Sequence, residues 1–171
     1  MTLIDDLGLP GGHETVFRWV SLVHSDDVNT EVWSCLDDRL RLALAQGWLL
    51  STADHPDEDL AEELAADDSD HELFNDMLID LVTHWRAVYS GLKDGSGLWA
   101  QPTLVGAAME LVVLTSPEYV GTIRARTAIP AHSFITRLEA DTWFIAALAR
   151  RLPVPGWPPT EEAVQGLGID A

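Results

Sequence analysis

Two periodicities divide the chain. Up to about residue 98 the apolar positions recur every three or four residues, the spacing of helices. From 99 to 149 they fall into short runs and alternations, the spacing of strands. Helices first and strands afterwards is the order of an α+β domain, in which helices cover one face of an antiparallel sheet.

The spacing predicts a helix over 14–24, where Val16, Phe17, Val20 and Val23 share one face and His24 continues it. Asp26-Asp27 breaks that pattern and supplies a cap for the next helix. A second helical stretch spans 30–50, through Trp33, Leu36, Leu40, Leu44 and Trp48. Within it, 39–44 also alternates with period two, so a short strand is the alternative; Ala, Leu, Arg and Gln favour helix there. The stretch 54–80 carries twelve acids and no Lys or Arg. It predicts a capping loop, a short helix over 60–66, and the start of a long helix over 70–92. The long helix has a broad stripe through Leu73, Met77, Leu81, Trp85 and Val88, and the Lys93-Asp-Gly-Ser-Gly stretch ends it.

Beyond Trp99 the pattern predicts strands at 104–114 and 119–129, a turn at 115–118, and a hairpin of 132–138 with 142–149 around Glu139-Ala-Asp141. Four successive antiparallel strands form a meander. Residues 1–12 read as an irregular lead-in, 13–150 as one domain, and 151–171 as a Pro-rich tail that cannot continue a ladder.

Composition narrows the class. A chain of 171 residues, 47% hydrophobic and with seven Trp, buries about 70% of its extended surface and needs no covalent staples. The lone Cys35 excludes an internal disulfide and suits a reducing cytoplasm, with burial as a small apolar residue its simplest role. No signal peptide and no run of ~20 apolar residues is present, which predicts a soluble cytoplasmic protein. The charge is lopsided: the first hundred residues hold 21 of the 28 acids and five of the ten basic residues. A net charge of −18 repels phosphates and anionic lipid, leaving nucleic acid and membrane as poor partners and a basic protein or a neutral small molecule as open ones.

Helices succeeded by the strands 104–114, 119–127 and 129–148, the last containing Asp141-Thr-Trp-Phe-Ile145 in a final hairpin, resemble the nuclear-transport-factor-2-like superfamily. Its members include SnoaL-like polyketide cyclases, scytalone dehydratase and ketosteroid isomerase. The resemblance implies N-terminal helices packed on a curved, cone-like antiparallel sheet of four or more strands, enclosing an apolar pocket. It implies cofactor-free proton-transfer chemistry (isomerisation, dehydration or cyclisation) or a non-catalytic binding role, and the fold does not choose between them.

Four residues are candidates for acid, base or orienting roles. His24 has Asp27 three positions on, the relation of an oriented base; a His satisfied by a backbone carbonyl beside a capping Asp is the plainer reading. Glu110 interrupts an apolar strand, as a desolvated acid would, or as one member of an ion pair with Arg124 or Arg126. His132 shares a strand face with Phe134, Thr136 and Leu138, either lining a pocket or ending a strand. Trp19, Trp48, Trp85, Phe134 and Arg124 are candidates for contact with a small apolar ligand. His84 reads as packing at a helix edge. His55 and His71 lie among acids without calcium-loop spacing, so no metal site is expected. Trp157 packs the tail onto the body or onto a second copy in a homodimer. Two functions fit these residues: a pocket protein for a small apolar molecule, enzymatic or not, or an interaction module whose acidic segment docks a basic protein.

Overall fold

In the computed structural model, residues 11–53, 57–120, 130–154 and 156–157 are described. Among them are five α-helices and a five-stranded antiparallel sheet, with the helices preceding the strands. The protein is an α+β fold with an open, curved sheet.

Helix α1 (Gly12–Val23) buries Val16, Trp19, Val20 and Val23, the periodic face seen in the sequence. It starts two residues earlier than the apolar spacing predicts. Gly12 is buried against the sheet, where a Cβ would overlap the Thr136 side chain, so only glycine lets the first turn approach so closely.

The helical stretch predicted over 30–50 is two helices, α2 (Glu31–Ser34) and α3 (Asp38–Thr52). The break has a tertiary cause. The Cys35 carbonyl accepts from Ile145 N at 2.8 Å, and Asp37 N donates to the Ile145 carbonyl at 2.9 Å. Backbone groups committed to the sheet cannot also continue a helical ladder. Asp37 then restarts the helix, its Oδ1 accepting from Leu40 N at 2.8 Å. Residues 39–44 are therefore helical, as propensity favours.

Helix α4 (Glu58–Ala65) is capped by Asp57, which accepts from Asp59 N and Leu60 N. Helix α5 (Phe74–Val88) is shorter than the predicted 70–92. The Tyr89 carbonyl receives Leu92 N at 2.8 Å and faces His24 Nε2 at 3.0 Å, and the chain tightens into a 3₁₀ turn at Ser90–Leu92.

The strands are β1 (Gly97–Leu98), β2 (Thr103–Gly106), β3 (Met109–Thr115), β4 (Ala131–Glu139) and β5 (Thr142–Ala147). They order as β1-β3-β4-β5, and β2 shares with β1 one side of β3. The single strand expected over 104–114 is thus a tight hairpin, turning at Ala107-Ala108 with Ala108 at φ 53°. A meander of four successive antiparallel strands is present with different members, β2-β3-β4-β5, and β3 pairs directly with β4, from Met109↔Arg137 to Thr115↔Ala131. The strand predicted over 119–129 lies mostly outside the described residues, and Pro117–Tyr119 form a 3₁₀ turn. The β4–β5 hairpin matches expectation. Its two loop residues, Ala140 and Asp141, both have positive φ, as a type I′ turn requires.

Helix α1 lies across β3, β4 and β5, α5 packs beside it, and α3 pairs with α4. Trp19, Trp33, Trp85 and Phe134 are fully buried with Leu36, Leu40 and Leu44 in one core. Each such side chain contributes about 1.5–3 kcal/mol by removal from water. On the opposite face of β4, Ile135 forms a small second cluster with Ala146 and Ala147. Gly156 N donates to Gln46 Oε1 at 3.3 Å and Trp157 packs against the main core, so these two residues of the tail lie on the body. No helix among the described residues is long and apolar enough to cross a membrane.

Candidate functional site

Between the helices and the sheet, the aromatic candidates pack on one another. The Trp19 ring lies 5.1 Å from Trp85, 5.5 Å from Tyr89 and 6.0 Å from Phe134, all edge-on. Tyr89 lies 5.5 Å from Phe134 and donates its hydroxyl to the Leu148 carbonyl. Burial pushes the Tyr89 phenol far above its ordinary range, so it stays protonated. These rings meet in the region where the sequence places an apolar pocket. Trp48 sits elsewhere, half-buried on α3, with its indole N–H donated to Asp80 at 2.9 Å. Arg124 lies outside the described residues.

The four acid–base candidates do not converge. His24 and Glu110 stand at opposite ends of α1, about 18 Å apart for a twelve-residue helix. His24 caps the C-terminal end, its Nε2 3.0 Å from the Tyr89 carbonyl. A carbonyl only accepts, so that nitrogen carries the proton. Asp27 is exposed two residues beyond Ser25 and does not orient the ring. Glu110 pairs with Thr136 across the sheet, and its Oε2 accepts from Gly12 N at 3.1 Å. It therefore serves the N-terminus of α1; Arg124 and Arg126, the arginines suggested as its partners, lie outside the described residues. His132 is half-buried with its ring 5.0 Å from Tyr89, and burial lowers its pKa. His24 and His132 both touch Tyr89, one at its carbonyl and one at its ring, but they line separate concavities.

Sequence reading missed the Asp37–Arg137 pair. The Asp37 carboxylate is fully buried, with Oδ1 on Leu40 N and Oδ2 on Arg137 at 2.9 Å. Asp38 and Glu139 bring their oxygens within 4.8 Å of it. Arg137 already supplies the positive charge there and also reaches Glu139 at 3.6 Å, so the cluster is a capped ion-pair network. Only the N-cap spacing of Asp37 before α3 signalled part of it.

Two surface features remain. A cleft of about 490 Å³ lies between α1, α2 and the β4–β5 turn, walled by Trp143 and Phe144, with Cys35 at its side and the Arg18–Glu31 ion pair at 2.6 Å. Burial pushes the Cys35 thiol up, which keeps it protonated and unreactive. The second feature is the outer side of 57–80. Every one of its eleven carboxylates, from Asp57 to Asp80, is exposed, and the segment contains no Lys or Arg. Among the described residues one ion pair reaches it, Arg41 to Asp67 at 2.9 Å.

No protein-family model matches the chain, and no curated protein or solved structure does either.

Proposed function

We propose that this protein is an interaction module that docks a basic protein partner through the acidic face of α4 and its flanking segments. The observation that carries the reading is the run of eleven exposed carboxylates between 57 and 80 with, among the described residues, a single ion pair from Arg41 reaching them. Charges so concentrated raise the encounter rate of a complementary basic surface, and the gain falls as salt screens it. Trp48, tied to Asp80, and Ile79, 48% exposed, give the face an aromatic and an aliphatic contact of the kind that anchors an interface. The order of helices and antiparallel strands is compatible with the nuclear-transport-factor-2-like cone, and membership of that superfamily is part of the proposal.

A second reading, a binder of a small, largely apolar molecule, draws its support from the 490 Å³ cleft against Trp143 and Phe144. The mutual packing of Trp19, Trp85, Tyr89 and Phe134 supports the first reading over this one.

The test is affinity capture from the protein's own source cells. The chain should retain a basic protein whose dissociation constant rises steeply with salt. The charge-reversed variant Glu58→Lys/Asp59→Lys/Glu62→Lys/Glu63→Lys should lose it. A retained partner indifferent to both salt and this variant would overturn the proposal.

A further inference from the structure

The chain contains one lysine, Lys93, and among the described residues no carboxylate pairs with its ammonium. In a protein of net charge −18 that isolation is informative, because acids outnumber bases almost three to one. Lys93 lines a hollow of about 400 Å³ between the outer side of α1 and the turn after α5. Phe17 and Leu92 supply its apolar wall; Ser21, His24, Lys93 and Ser96 supply the polar groups. No Asp or Glu lines it, although Asp94 is the next residue in the chain.

Two helix ends meet beside this hollow, and free carbonyls there would repel an anion. Four of them are engaged. Arg86 donates to the carbonyls of Val23 at 2.8 Å and Ser25 at 2.6 Å, His24 holds that of Tyr89, and Gly95 N donates to that of Leu92. The cationic and hydroxyl groups of the hollow are thereby left for something else.

We propose that this hollow binds a small organic anion, one carboxylate or phosphate group joined to an apolar portion. The anionic group sits among Lys93, Ser21 and Ser96, and the apolar portion lies against Phe17 and Leu92. His24, fixed by the Tyr89 carbonyl, forms the rim between them. This site is separate from the acidic face and does not depend on the docking proposal.

Benzoate and phenyl phosphate are suitable probes, with neutral benzamide as their control. In a ¹H–¹⁵N titration, one of the two anions should saturate and move the amides of Ser21, His24 and Lys93 to Ser96, while benzamide leaves them in place. Lys93→Gln should weaken the binding by about fivefold with an unchanged melting temperature, and Arg39→Gln, an exposed charge elsewhere, should not weaken it. Because Lys93 is the only lysine, its reaction with trinitrobenzenesulfonate, read by peptide mass, should slow in the presence of the anion even if the variant folds poorly. Equal weakening by both substitutions, an equal response to benzamide, or no saturation by either anion would overturn the site.

Discussion

The Glu110 carboxylate in β3 accepts the backbone N–H of Gly12 at 3.1 Å and so caps a helix 98 residues earlier in the chain. Gly11, the residue at the N-cap position, has no side chain with which to do this. The sheet provides both the hydrogen-bond acceptor and a negative charge at the positive end of the α1 dipole. Glu110→Ala should therefore cost about 1–2 kcal/mol in urea denaturation. Glu110→Gln, which keeps the acceptor and loses the charge, should recover more than half of that. Equal loss in both variants would mean that the charge alone matters.

Burial holds the Asp37 carboxyl above its usual value, against the Leu40 N–H and Arg137, which act the other way. The folded chain then binds this proton more tightly than the unfolded chain. Stability from this group is fully present below the unfolded value, about 4, and is lost as pH rises through the folded one. Asp37→Asn retains an acceptor for Leu40 N and removes the titration. The stability difference between wild type and Asp37→Asn should shift against the wild type as pH is raised from about 4 to 7. Urea midpoints along that range check it.

His132 carries the opposite sign. Burial lowers its pKa, so the neutral ring is favoured in the folded state. Its contribution is fully present above the unfolded value, about 6.5, and is lost as pH falls through the folded one. Acidification from about pH 7 to 5 should cost the wild type more than His132→Gln. The ring resonances should titrate below those of an unfolded peptide containing the same residue.

The β4–β5 turn places Ala140 at φ 44° and Asp141 at φ 66°. Left-handed backbone costs a residue with a Cβ roughly 1–2 kcal/mol, and Asn-Gly is the preferred pair for this turn. Ala140→Asn/Asp141→Gly should stabilise the protein by about 1 kcal/mol, seen as a higher urea midpoint with an unchanged slope.

The helix faces of α1, α4 and α5 were legible because Val16 to Val23, Ala61 to Leu64 and Phe74 to Trp85 keep a 3.6-residue period. The final hairpin was legible from its alternation, and the exposure of the 57–80 acids from their density. The features that could not be read depend on distant partners. Nothing near Cys35 announces that Ile145 will interrupt the helix, and no Asn-Gly marks the turn at Ala107-Ala108. The role of Glu110 depends on where α1 ends on the sheet, which no local spacing encodes. Likewise, the aromatic residues announced an apolar interior but not whether their own rings would fill it.

Closure of the interior can be measured at Phe134, which is fully buried against Trp19 and Tyr89. If the rings close the interior, the wild type has no room for an apolar guest, and benzene should leave its melting temperature unchanged. Phe134→Ala should cost about 3–5 kcal/mol, combining lost transfer energy with the cavity left behind. A cavity walled by Trp19 and Tyr89 would be apolar enough to stay dry, and such cavities bind benzene. Benzene should then raise the melting temperature of Phe134→Ala alone, by binding only the folded state. A comparable rise in the wild type would show that the interior already holds open space, and would return the small-molecule reading to first place.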